Sequence, residues 1–96
     1  MPAYMIFTRD STSDQSEMDI YAKMAGASLA GHPITPRAFY GAFEVLEGDP
    51  IEGAVLLEFP TMADARAWYD SPAYQAAVAH RHAGSRYRVV IVDGVG

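Results

Sequence analysis

Apolar residues first gather in Ala3 to Arg9 (AYMIFTR), a short aromatic-rich run bounded by the polar string DSTSD, and this pattern predicts a strand. The period then lengthens. Met18, Tyr21, Met24, Ala25 and Leu29 recur at helical spacing behind Asp14 and Glu17, which stand three apart as in a capping box with Asp as the cap. Gly31, His32 and Pro33 end that helix, with glycine where a left-handed residue is wanted. From Ala38 to Leu46 (AFYGAFEVL) the chain alternates, with Phe39, Gly41, Phe43 and Val45 on one parity and Tyr40, Ala42, Glu44 and Leu46 on the other. Both parities are partly apolar, which predicts a second strand covered on both faces. The cluster Glu47-Gly48-Asp49-Pro50 predicts a turn, and Gly53 to Phe59 (GAVLLEF) a third strand forming a hairpin with the second.

Thr61, with Asp64 three residues on, predicts the start of a helix whose apolar stripe is Met62, Ala65, Trp68 and Tyr69. Ser71 caps again and Pro72 takes the first-turn position, where a missing N–H costs nothing, so AWYDSPAYQ reads as a helix stop and restart. Tyr74, Ala77, Val78 and Arg81 continue at helical spacing to Gly84. Tyr87 to Asp93 (YRVVIVD) predicts a fourth strand, followed by Gly94 and Gly96. The order is β-α-β-β-α-β, an α+β, ferredoxin-like arrangement: an antiparallel four-stranded sheet, helices on one face, the second helix split at Ser71-Pro72. The strands carry large apolar residues on both parities, so the helix-free face also needs cover. The simplest cover is a second copy, which predicts a homodimer enclosing a space between its sheets.

Composition sharpens this picture. The 96 residues suit one domain, 1–96, and the 50% hydrophobic share is high for so short a chain, in keeping with apolar surface buried against a partner subunit. There is no cysteine, hence no disulfide, thiolate nucleophile or cysteine metal site, which fits a cytoplasmic protein. No stretch approaches the ~18 apolar residues needed to span a bilayer, and the N-terminus lacks the flank of a targeting segment. A net charge of −5 disfavours nucleic acid and anionic membranes as partners. The charge is uneven, because Ser71 to Val92 contains no acid while His80, Arg81, His82, Arg86 and Arg88 fall close together. That cluster is either an exposed basic helix end leading into a strand or an anion-binding patch.

The segments VLEGDP, LLEFPTMADARAWYDSPAYQ and RHAGSRYRVVIVDG, in that order, closely resemble the bacterial family described as domain of unknown function 1330. The resemblance spans essentially the whole chain. It is most specific at Glu47-Gly48, Glu58-Phe59-Pro60, Ala67 to Pro72, Tyr74-Gln75, Arg81 and Val92-Asp93-Gly94. Between Met24 and Ala38 relatives tend to carry a glycine pair leading into a longer second strand, where this chain has GHPITPR. The resemblance implies a dimeric α+β barrel. That superfamily includes cofactor-free monooxygenases, haem-degrading enzymes, lactone isomerases and decarboxylases, and proteins without a known reaction. Function must therefore be argued from the site.

Glu58 interrupts the apolar run Ala54 to Phe59. An acid in a strand covered on both faces must be paired, protonated or facing a wet cavity. One reading makes it a cavity general base or acid; the other pairs it structurally with Arg81, Arg86 or Arg88. Arg81 sits where the helix stripe calls for an apolar residue, and its fork suits a ligand carboxylate or enolate as well as Glu58. His80 and His82 cannot share a helix face, and His32 lies in a distant loop, so no metal site is expected; His80 alone remains a candidate general base. Asn is absent from the chain, which weighs against the haem-degrading relatives. Tyr40 and Phe39 on the second strand, with Tyr4 and Arg86, are the candidate pocket residues, while Trp68, Tyr69 and Tyr74 read as scaffold. Two functions follow. One is a cofactor-free enzyme or binder taking a small, partly apolar carbonyl, phenol or acid in the barrel; the other is a non-catalytic accessory or stress-associated dimer with a structural Glu–Arg pair.

Overall fold

In the computed structural model, which describes residues 1–95, strand β1 (Ala3–Thr12) pairs with β3 (Gly53–Phe59) on one side and β4 (Ser85–Asp93) on the other. Strand β2 (Thr35–Phe39) completes the sheet beside β3, giving the order β2-β3-β1-β4 with every neighbouring pair antiparallel. Helix α1 (Gln15–Ser28) links β1 to β2, and α2 (Met62–Tyr69) with α3 (Pro72–Gly84) links β3 to β4. The chain thus has the α+β, ferredoxin-like order that its hydropathy pattern predicts. Gly96, named above as the end of the last strand's tail, lies outside the described residues.

The helix ends follow from local chemistry. The Asp14 carboxylate accepts from the backbone N–H groups of Ser16 and Glu17, Thr61 Oγ1 from that of Asp64, and Ser71 Oγ from that of Tyr74. Glu17 does not close the capping box. Its carboxylate lies 2.6 Å from His80 Nδ1 instead, tying α1 to α3. Between α2 and α3 the break at Asp70-Ser71 is held by the Ser71 N–H and Oγ, which both donate to the Trp68 carbonyl.

One parity of each long strand faces the helices. Met5, Phe7, Val55, Leu57 and Phe59 meet Met18, Tyr21, Ala65, Trp68, Tyr74, Ala77 and Val78 to form the core. At its centre the Trp68 ring stacks on Tyr74 at 4.0 Å between centroids, with Phe59 at 5.9 Å and Phe7 edge-on at 6.3 Å. The indole N–H is also satisfied, donating to Ser28 Oγ at 3.1 Å. Met62, assigned above to the α2 stripe, is exposed, and Tyr69 is half-buried.

Three strand boundaries depart from expectation, β4 by starting at Ser85 rather than Tyr87. β1 runs on through the polar residues Asp10 to Thr12 because a register shift after Arg9 lets Ser11 and Thr12 continue pairing with β4. β2 occupies Thr35–Phe39 rather than Ala38 to Leu46, and it is exposed along its length instead of covered on both sides. Tyr40, with φ of +53°, turns the chain out of the strand. The observed register sets Phe39 opposite Val55. Carried further, it would place Glu44 against Pro50, which has no N–H to offer a ladder. β2 and β3 still pair as the expected antiparallel hairpin, but the tight turn is replaced by a long, mostly exposed connection, residues 40–52, that carries Phe43, Val45 and Leu46 on its surface.

Trp68→Ala is expected to lower the unfolding free energy by about 3–5 kcal/mol, measured by urea denaturation, because it empties the centre of the core and removes the hydrogen bond to Ser28 Oγ. A loss under ~1 kcal/mol would place the ring outside the core.

Candidate functional site

The site begins with a row of residues across three strands. Arg9 on β1 stands opposite Gly53 on β3 and Tyr87 on β4, all at the helix-facing parity. A side chain at Gly53 would collide with the Tyr40 ring, whose Cδ1 would lie 2.7 Å from an added Cβ. Glycine therefore clears a seat for that ring. Tyr40 reaches the seat through its left-handed backbone, a conformation that costs a bulky residue about 1–3 kcal/mol. Its N–H donates to the Ala54 carbonyl at 2.9 Å, which fixes the turn.

So placed, the two phenols and the guanidinium close on one another. Arg9 Nε donates to Tyr87 Oη at 2.7 Å, and the Tyr40 and Tyr87 hydroxyls are 2.6 Å apart. Arg9 Cζ lies 5.0 Å from the Tyr40 ring centroid and 5.4 Å from that of Tyr87. Burial raises the pKa of the Tyr87 phenol above its ordinary value, with the hydrogen bond to Tyr40 adding to the effect. Burial disfavours the Arg9 charge, but bonding to the Tyr87 and Tyr40 hydroxyls outweighs it and the pKa is raised. The two hydroxyls share one hydrogen bond, in which either can donate, so one of the two phenol protons is left over for another acceptor.

Beside this cluster, between α1 and the sheet, lies a cavity of about 150 Å³. Arg9, Tyr40 and Phe39 line it together with Met18, Tyr21, Ala25, Leu29, Leu57 and Trp68, and its wall carries no carboxylate, imidazole or thiol. The Tyr21 hydroxyl joins a second phenol pair, 2.8 Å from Tyr74 Oη. Behind both pairs is Arg81, 3% exposed, with its Cζ 5.1 Å from the Tyr87 ring centroid and 5.9 Å from that of Tyr21. Its Nε and Nη1 have no hydrogen-bond partner among the described residues.

The residues singled out from sequence fall in several places. Tyr40 and Phe39 line the cavity. Glu58 and Tyr4, cross-strand neighbours, lie on the opposite, helix-free parity of the sheet. Glu58 pairs there with Arg37 at 3.0 Å, not with Arg81, Arg86 or Arg88, so the expected Glu58–Arg81 couple is corrected: the sheet stands between them. Arg86 also lies on the open face, with Arg88, in a groove walled by Glu44, Glu47 and Asp49. His80 is engaged with Glu17 outside the cavity, and His82 is exposed. Arg9, Tyr87 and Tyr21 complete the cluster without having been singled out for chemistry. Among the described residues, no group of three or more His, Cys, Asp or Glu could hold a metal ion, and no helix is long and apolar enough to cross a membrane.

These features define an α+β protein of ferredoxin-like fold with a small, largely apolar cavity under its first helix. Over residues 2–95 the chain matches, and so belongs to, the family described as Domain of unknown function (DUF1330). A comparison with curated proteins finds no match. Among solved structures, the chain resembles a protein of unknown function from Rhodopseudomonas palustris, at 19% identity and a TM-score of 0.73, covering 99% of this chain and 83% of that one. It also resembles a dimeric protein of unknown function and ferredoxin-like fold from Bacteroides fragilis, at 15% identity and a TM-score of 0.65, covering 97% and 96%. A third is SnoaB, a cofactor-independent oxygenase from Streptomyces nogalater, at 8% identity and a TM-score of 0.62, covering 97% and 91%.

Burial pushes the Tyr74 phenol up to about 12. The unfolded chain releases that proton near pH ~10, so the contribution is complete below that pH and is lost as pH rises from there to the folded value. The urea midpoint is expected to hold steady from pH 7 to 9 and then fall, with about 2–3 kcal/mol lost by pH 12 on account of this group. Tyr74→Phe is expected to flatten the fall; an unchanged slope would show that the phenol titrates as if exposed.

Proposed function

We propose that this chain is a homodimeric small-molecule-binding protein whose cavity holds a mostly apolar molecule about the size of one six-membered ring, without a metal. The observation that carries the reading is the pairing of an apolar chamber with a strained residue, Tyr40, whose hydroxyl is delivered to its edge. An engineered apolar cavity of about 150 Å³ takes benzene, which sets the scale of the ligand. A carbonyl, phenol or acid group on that ring would meet Tyr40 and Arg9. Binding is favoured over proton abstraction because the wall contains no side-chain base. That one structural neighbour is a cofactor-independent oxygenase supports a metal-free chemistry for this fold, though not a particular reaction.

The dimer rests on the open face of the sheet. Tyr4, Ile6, Leu56, Val90 and Val92 share that parity, and Val90 and Val92 are each 46% exposed in the protomer. Structural neighbours from Bacteroides fragilis and Thermobifida fusca are described as dimeric. The alternative, an accessory dimer with a structural Glu–Arg pair, draws little from Glu58, since its partner Arg37 is half-exposed and such pairs contribute roughly 0–1 kcal/mol.

Two measurements test this reading. Trp68, the only tryptophan, lines the cavity, so toluene or benzyl alcohol is expected to change its emission saturably. Ala25→Leu, which fills the chamber, should weaken that response at least ~10-fold, or 1.4 kcal/mol; absence of any saturable change would close the cavity to ligands. Leu56→Asp with Val90→Asp is expected to convert a dimer into a monomer in sedimentation equilibrium. A wild-type monomer would refute the dimer.

A further inference from the structure

Two guanidiniums stand over one phenol ring here, and neither has an acid. The ion pairs among the described residues are Arg37 with Glu58, Arg66 with Asp70, and His80 with Glu17; Lys23, Arg86 and Arg88 also lack a carboxylate but are exposed, which leaves Arg9 and Arg81 as the unpaired cations away from the open surface. In a chain of net charge −5 this is a local excess of positive charge, buried at Arg81 and half-buried at Arg9. Arg81 is the sharper case, because at 3% exposure two of its nitrogens have no protein acceptor. Burying a cation so incompletely is costly unless a negative group joins the site.

The groups facing this point are Arg9 from β1, Tyr40 after β2, Tyr87 from β4, Tyr21 from α1, and Tyr74 and Arg81 from α3. Every one is a cation or a protonated phenol. One phenol proton joins Tyr40 to Tyr87 and the other is left over; since Tyr40 and Arg9 line the cavity and Tyr87 does not, an acceptor placed there meets the Tyr40 O–H, with Tyr87 donating behind it, and the remaining N–H groups of Arg9. Donors without acceptors recognise an acceptor, and donors on a positive background recognise an anion. Deepening the proposed function and resting on it, we infer that the cavity selects the anionic form of its ligand: a single-ring phenolate, enolate or aryl carboxylate. The ring lies against Trp68 and Leu57, and the oxyanion meets Tyr40 Oη and Arg9. Arg81 acts through the ring of Tyr87, as a positioning charge behind the donors.

The probes that test this are 4-nitrophenol, whose colour reports its ionisation, and uncharged nitrobenzene. Both are followed by Trp68 quenching with the full chain. The expected result is that 4-nitrophenol binds as its phenolate, with an apparent pKa lowered by about one unit, which is a tenfold preference for the anion. It should also bind at least ~10-fold tighter than nitrobenzene. Arg9→Met should remove most of that selectivity, with partial recovery in Arg9→Lys, which keeps the charge and loses the fork. Arg81→Met should return the bound probe's pKa toward its free value; where that variant does not fold, the Arg9 series decides alone. Binding of 4-nitrophenol in neutral form, or equal affinity for the two probes, overturns the anion selectivity and leaves the cavity reading standing. Failure of both probes to quench Trp68 overturns the cavity reading and this inference together.

Discussion

The stack of Trp68 on Tyr74 is the contact on which the other features depend. It joins α2 to α3 across the Asp70-Ser71 break, so two short helices act as one bent cover on the sheet. A helix of eight residues is marginal alone and acquires its stability from such packing. The same indole lines the cavity and, through Ser28, holds the end of α1. The aromatic residues flanking the break in AWYDSPAYQ are therefore scaffold and chamber wall at once.

Local strain is concentrated at the polar end of that chamber. Tyr40 adopts a backbone conformation unfavourable for its size, and Gly53 omits the side chain that would block the ring. Such strain persists only where the surroundings over-determine it. Here the Tyr87 hydroxyl, the Arg9 guanidinium and the Ala54 carbonyl all hold Tyr40 in place. A strand running straight through residue 40 would have carried this phenol away from Tyr87, so the short β2 and the polar cluster are one feature.

The sheet separates two unlike surfaces. Its helix side holds the core, the cavity and the unpaired guanidiniums; its open side holds Tyr4, Ile6, Leu56, Val90 and Val92 with the Glu58–Arg37 pair. Strand pleating enforces this division, since successive side chains point to opposite faces. A ligand under α1 and a second copy on the open face would therefore occupy the protein without competing.

Much of the architecture was legible in the chain itself. Helix caps at Asp14, Thr61 and Ser71, the proline at the start of α3, and the limits of β3 follow from short-range chemistry, which a sequence displays directly. The helix stripes likewise identified Met18, Tyr21, Ala65, Trp68, Tyr74, Ala77 and Val78 as core, whereas the strands, apolar on both parities, did not show which face the helices cover. β2 was not legible, because alternation over Ala38 to Leu46 says nothing about whether a partner strand is present to accept the ladder, and Pro50 and the Tyr40 turn remove it. Nor could spacing show that Arg9 and Tyr87, 78 residues apart, would share a hydrogen bond, or that Glu58 and Arg81 would fall on opposite sides of the sheet. Caps, stripes and turns are decided within a few residues. Which charge meets which is decided by strand register and helix docking, and these exist only once the chain has folded.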